Sequence, residues 1–359
     1  MTRALLTLFL ILGQFSLAAA PRRRAAQHPA PPVAPETVVA AARQAAEAAI
    51  NAGVPAVQIA VSHRGKVIYS EAFGLSDPET ATAATDRSVM QVGSLMKQFT
   101  SAAILRLAER GALTLDDRIE KFVPEFNPGG ATITLRHLLT HTSGVKALPV
   151  DPYAPLTREQ FVNSVNGQPL EFTPGSKYSY SNAGYKLLGY AIESITGRSF
   201  IDFLHGELVL PLGLLHTGVC GTSSLPVPEG YGLLQGTWKR MKPLHISVSF
   251  SAGSLCSTAS DLARWAHLLA TGRVVQPASY TEMTTPSPVA PYGLGLGLVT
   301  LQGHPGVSHV GGIDGFLSYL LYFPDKEIGV AVIESAYPGP PDHPLLIGVP
   351  VASAALAAL

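Results

Sequence analysis

A chain of 359 residues with 47% hydrophobic and only 14% charged residues can bury a full-sized core, which excludes an intrinsically disordered protein. Its 25 basic and 25 acidic side chains cancel, so no whole-chain field draws in nucleic acid or an anionic membrane. Beyond the first twenty residues, no stretch offers the ~18–20 continuous apolar residues of a spanning helix.

The chain opens with Arg3, an apolar run from Ala4 to Leu12 and a small-residue site at Ser16-Leu17-Ala18, the layout of a secretory signal over 1–20. A periplasmic or secreted protein is the expectation, with no membrane attachment once the signal is cleaved. Pro21 and the run Arg22, Arg23 and Arg24 work against cleavage and transfer, so an uncleaved N-terminal anchor is the alternative. The Pro-, Ala- and Arg-rich stretch 21–35 reads as a flexible linker, and 36–359 as the folded domain.

Pro35-Glu36-Thr37 opens an alanine-rich helix to about Asn51, stopped by Gly53. Val57–Ser62 and Lys66–Phe73 form a β-hairpin about His63-Arg64-Gly65. From Ser94 to about Arg110, Leu95, Phe99, Ala103 and Leu107 recur at helical spacing, with Gly111 as the stop. Helices and long loops punctuated by proline follow to about residue 235. Strand patterns return near 245–252, 292–301, 305–310, 316–323 and 327–333, broken by a helix over Thr258–Leu269. An apolar helix over Leu345–Leu359 closes the chain against the sheet. The fold class that results is α+β: an antiparallel sheet built from both ends of the chain, flanked by terminal helices, with an inserted helical region. The sheet lobe takes about 36–85 and 245–359, and the helical lobe about 86–244. The cleft between two such lobes is the place for a site.

Cys220 and Cys256 are the chain's two cysteines. Either they pair, as export permits, or they are two buried thiols. His137 and His141 have the spacing of a helical metal pair, but Leu138 stands where a zinc protease places its Glu, so no metal is expected. Trp238 and Trp265 read as packing residues.

Three short elements carry chemistry. Ser94-Leu95-Met96-Lys97 puts a serine and a lysine on one helix face. A lysine of lowered pKa can draw the serine proton, and the helix start favours developing negative charge. The apolar run Ala102–Leu107 implies that this ammonium is partly desolvated. Next, Tyr180-Ser181-Asn182 follows the turn Pro174-Gly175, and a tyrosine beside an ammonium gains access to its phenolate. Last, His309-Val310-Gly311-Gly312 ends a strand with glycines that let a substrate approach and offer an N–H to an oxyanion.

In this order and spacing the three elements resemble the serine β-lactamase and penicillin-binding-protein superfamily, specifically its class C β-lactamase and esterase branch. The segments Leu135–Gly144 and Ser251–Leu262 look like signatures of the same branch, and the likeness spans about 36–335. The resemblance implies Ser94 as acylated nucleophile, Lys97 and Tyr180 sharing the base role, and Asn182, His309, Gly311 and Gly312 in substrate binding. It implies an oxyanion held by the N–H groups of Ser94 and Gly312, with no metal or organic cofactor. One departure stands out: Val310 occupies the position where carboxylate-reading relatives often carry threonine, and it has no hydroxyl. His309 is only partly charged near neutral pH. An ester or amide without a free carboxylate is therefore the expected substrate, a small molecule or peptide. The competing readings are a D-amino-acid peptidase or weak β-lactamase, and a non-catalytic binder or sensor of the same fold.

Overall fold

The computed structural model describes residues 33–222, 224–339 and 343–359; the expected signal segment and most of the expected linker lie outside them. A seven-stranded antiparallel sheet forms from both ends of the chain. Its N-terminal strands are β1 (Ala56–His63), β2 (Lys66–Asp77) and the short β3 (Thr82–Ala83). β4 (Met90–Gly93), β5 (Gly218–Val219) and β8 (Leu255–Ser257) make a separate small sheet, while β6 (Tyr231–Leu234) and β7 (Thr237–Arg240) form a hairpin. The C-terminal strands are β9 (Gly297–Leu301), β10 (His304–Ile313), β11 (Phe316–Phe323) and β12 (Ile328–Glu334), giving the order β3-β2-β1-β12-β11-β10-β9.

The central strands are apolar on both sides because both faces are covered. Val57, Ile59 and Val61 of β1 enter a core with Val38, Ala42 and Ala46 of α1 (Glu36–Asn51) and Ile347 and Val351 of the helix that closes the chain (His343–Ala358). Ala56 and Ala60 of the same strand enter the opposite core, which α2 (Met96–Glu109) dominates. There Phe99 stacks on Trp265 with centroids 3.6 Å apart, and the Trp265 indole donates to Gln98 Oε1.

The helical region runs through α3 (Leu135–Leu139), α4 (Arg158–Asn166), α5 (Asn182–Thr196) and α6 (Phe200–Leu204). Next come α7 (Ile246–Gly253), α8 (Ala259–Ala270) and α9 (Pro277–Met283), and the closing helix is α10. Two expectations need correction. The strand anticipated over 245–252 is the helix α7, kinked at Phe250, whose φ is 38°. Its alternating Ile, Val and Phe mimic a strand, but it packs on α5 and α2, and the Ser251 hydroxyl donates to the Tyr185 carbonyl. Tertiary packing overrides the local pattern. The strand anticipated over 292–301 is confined to Gly297–Leu301.

Cys220, directly after β5, and Cys256, in the middle of β8, form a disulfide across 36 residues of chain. Constraining a loop of that length in the unfolded state stabilises by about 3–4 kcal/mol. The paired variant Cys220→Ser/Cys256→Ser should therefore unfold at a distinctly lower urea midpoint, with a somewhat steeper slope because its unfolded chain exposes more surface, measured by denaturant titration.

Candidate active site

Ser94 stands at the corner between β4 and α2, two residues before the helix that the sequence places it in. The corner is tight because Gly93 has a φ of 50°, and a Cβ there would fall 2.9 Å from Gly312 N and 2.8 Å from its carbonyl oxygen. Glycine alone lets the end of β4 lie on β10 at this level. The Ser94 N–H, without a protein acceptor among the described residues, is thereby brought alongside the Gly312 backbone. The N-terminal end of α2 adds the positive end of the helix dipole at the same place.

Lys97 is fully buried one turn further on. Its Nζ lies 3.1 Å from Ser94 Oγ, 2.8 Å from Asn182 Oδ1 and 2.8 Å from the Ala252 carbonyl. Burial, reinforced by the charge of Lys186, holds its pKa well below the usual lysine value. A neutral amine has two N–H bonds and one lone pair. Asn182 Oδ1 and the Ala252 carbonyl are acceptors and take the two N–H bonds, so the lone pair is left for the Ser94 hydroxyl. The local hydrogen bonding thus turns the free lone pair of a neutral Lys97 toward the Ser94 hydroxyl.

Tyr180 covers the same amine, its ring centroid 4.7 Å from Lys97 Nζ. Although 42% of its surface is exposed, surrounding protein raises its pKa, partly offset by the Ser94 side chain, which favours the ionised form. The sequence expectation of an accessible phenolate is corrected here: Lys97 is itself neutral, so it offers no cation to set against the loss of water. Tyr180 is a neutral phenol at the mouth of the site. Asn182 is the first residue of α5, capped by the Ser181 hydroxyl, which accepts from the Gly184 N–H. With Oδ1 held by Lys97, its Nδ2 is the group that can face a ligand.

His309 is also corrected. Its ring turns into the protein, with Nδ1 2.6 Å from the Val310 carbonyl and Nε2 2.9 Å from the Tyr292 hydroxyl. Nδ1–H donates and Nε2 accepts, the pattern of a neutral imidazole. Burial pushes its pKa down to about 3, so it carries no charge for a substrate carboxylate. Strand alternation explains the orientation: His309 and Gly311 point inward, while Val310 and Gly312 point out. Gly311 is pressed against β4, where a Cβ would lie 2.0 Å from the Val92 carbonyl oxygen. Of the three, only Gly312 lines the cleft.

Sequence reasoning missed several contributors. His141 grips the Tyr180 segment: its carbonyl accepts from the Ser179 N–H at 2.9 Å and its Nδ1 from the Ser181 N–H at 3.0 Å. Its ring lies 4.2 Å from that of Tyr180, and burial keeps it neutral. His137, four residues before it in the chain, accepts the Thr134 N–H at the start of α3. Ala252 supplies a carbonyl from the segment mistaken for a strand. Lys186 lies one turn beyond Asn182 on α5, and burial lowers its pKa to about 8. The spacing Asn182-x-x-x-Lys186 was the available signal for it. The cleft, about 250 Å³, is lined by Ser94, Asn182, Lys186, Gly312, Asp314 and Tyr337, with Leu244 and Val248 among its apolar walls.

A sheet framed by terminal helices, with Ser94, Lys97, Tyr180 and Asn182 converging where it meets the helical region, is the β-lactamase and transpeptidase architecture. The chain belongs to the beta-lactamase family, whose model, described as Beta-lactamase, matches residues 37–348. It is 28% identical over 238 residues to the putative penicillin-binding protein PbpX of Bacillus subtilis, covering 66% of this chain and 60% of that protein. It is 27% identical over 295 residues to Protein flp of Staphylococcus aureus, covering 78% and 59%. The chain thus spans about three-fifths of the length of these curated relatives. Among solved structures, the octameric penicillin-binding protein homologue from Pyrococcus abyssi aligns with a TM-score of 0.79 and 28% identity, over 89% of this chain and 77% of that one. A D-stereospecific amidohydrolase from Streptomyces sp. aligns at 0.75 and 28% identity, over 86% and 98%.

Proposed function

We propose that the protein is a serine hydrolase that forms an acyl-Ser94 intermediate from an ester or amide lacking a free carboxylate at the β10 side of the cleft. The observation that carries this reading is the fully buried Lys97 amine, whose Nζ lies 3.1 Å from Ser94 Oγ while its two other contacts are both acceptors. Burial lowers its pKa so that a lone pair can face the hydroxyl. Lys97 takes the hydroxyl proton as Oγ bonds to the acyl carbon. The N–H groups of Ser94 and Gly312 hold the oxyanion. Collapse breaks the bond to the leaving group, which takes a proton from the Tyr180 phenol, and the Lys97 ammonium returns one to Tyr180. Water attacks the acyl-enzyme by the same route in reverse.

Support for the substrate class comes from the side of β10. Val310, 42% exposed, presents no hydroxyl, and neutral His309 presents no cation, so a carboxylate there has neither of its usual partners. Likeness to the Streptomyces D-stereospecific amidohydrolase favours an amide among the options. The test sets aryl esters, a chromogenic cephalosporin and D-alanyl peptides side by side, with peptide mass spectrometry of the quenched protein. An acyl mass on the peptide holding Ser94, and turnover of esters or amides above the cephalosporin, is the expected result. Turnover without a Ser94 adduct in any trapped sample, or a clear preference for carboxylate-bearing substrates, overturns it.

A further inference from the structure

The cleft beside Ser94 carries two charged side chains, Lys186 from α5 and Asp314 from the turn joining β10 to β11. Asp314 follows directly on the Gly311-Gly312-Ile313 run. Among the described residues its carboxylate has no hydrogen-bond donor and no ion-pair partner, although Asp at such turns commonly bonds its own backbone. The turn does not rely on that side chain: Gly315 is held through its own backbone, its N–H donating to the Tyr337 carbonyl and its carbonyl accepting from the Tyr231 N–H. A half-buried acid with no protein partner in a cleft is open to pairing with a ligand, and partial burial already pushes its pKa up. Lys186 likewise has no acidic partner among the described residues; its ammonium rests near the Phe161 ring. The helical side of the cleft is therefore positive and the sheet side negative.

We infer that Asp314 receives a substrate ammonium, so that the acyl half of the substrate is an amino acid with a free amino group. This rests on the hydrolase reading above. Both charges act in the same sense, since Lys186 repels a cation that Asp314 attracts. The cleft volume of about 250 Å³ suits one aminoacyl group better than a longer acylated chain. Leu244, Val248 and Tyr337 supply apolar surface for its side chain. The substrate class is then an amino-acid amide or ester, or a peptide cleaved after its first residue.

The test compares amino-acid p-nitroanilides of both chiralities, each with a free and an N-acetylated amine, and includes p-nitrophenyl acetate as a neutral ester. For the intact protein, kcat/KM should favour the free amine at least tenfold for one chirality, and the preference should shrink as salt rises. In Asp314→Asn that preference should fall to under threefold, mainly through KM, while Asp314→Glu should keep part of it. Equal rates for free and acetylated amines in the intact protein overturn the inference, as does an Asp314→Asn variant that loses both equally while still hydrolysing the acetate ester. Failure to hydrolyse even the acetate ester overturns the hydrolase reading itself, which separates the two outcomes.

Discussion

Lys97→Met should lower kcat/KM on an aryl ester by about 10²–10⁴-fold, the usual loss when a positioned base is removed. It should also erase the acidic limb of the pH profile. In the intact protein that limb arises because activity needs neutral Lys97, which protonates as pH falls through its lowered pKa. Ser94→Ala marks the floor of the comparison. Stability should move the other way. The unfolded chain binds a proton at Lys97 below its ordinary value near 10.5, whereas the folded chain resists doing so, so the wild-type fold loses stability as pH is lowered from that value. Lys97→Met removes this term and should gain on the wild type between pH 10 and pH 7 by denaturant titration. A stability difference between the two that stays constant across that range contradicts a neutral buried amine.

The second large effect falls on Gly311. A Cβ there would sit 2.0 Å from the Val92 carbonyl oxygen and 2.3 Å from Ser318 Oγ, and backbone cannot yield that far without moving β10 off β4. Gly311→Ala should therefore part the N–H groups of Ser94 and Gly312. Losing a preorganised oxyanion donor costs about 10²–10³ in kcat, and the clash should destabilise the fold by about 1–3 kcal/mol. Gly312→Ala is the control for geometry: the nearest atom to its Cβ is Leu317 Cδ2 at 3.6 Å, an ordinary contact. That variant should fold normally, with its defect confined to catalysis. Equal destabilisation of both would refute the argument from strand packing.

Much of this was legible in the sequence because the signals were local. Helix α1 occupies Glu36–Asn51, the span its opening Pro35-Glu36-Thr37 and closing Gly53 outline. The β1–β2 hairpin and the sheet built from both chain ends follow from short β-rich runs and their turns, buried on both faces in the central strands. Ser94 and Lys97 are three residues apart, so their meeting needs only a turn of helix, whereas the contact of Lys97 with Asn182, a residue expected only as a substrate contact, spans 85 residues and is announced by neither motif. What escaped notice depends on partners far along the chain. The Ala252 carbonyl reaches Lys97 across 155 residues, and nothing within α7 announces it. The same α7 imitates a strand because its pattern was judged without the helices that surround it. His309 looked like a half-charged ligand because its burial against Tyr292 is a property of the fold and not of the motif. The charge states of Lys97, Tyr180 and His309 all turn on water removed by distant segments, which a motif cannot report.

Helices α1 and α10 lie together on the outer face of the sheet, whereas Ser94 lies between Val92 and Leu95 of the core on the other face. The described chain thus departs at Val33 and Leu359 from the side remote from the cleft. A bead, a surface or a fused partner joined through α10 would hold the molecule by its back, leaving the cleft open to the surrounding liquid.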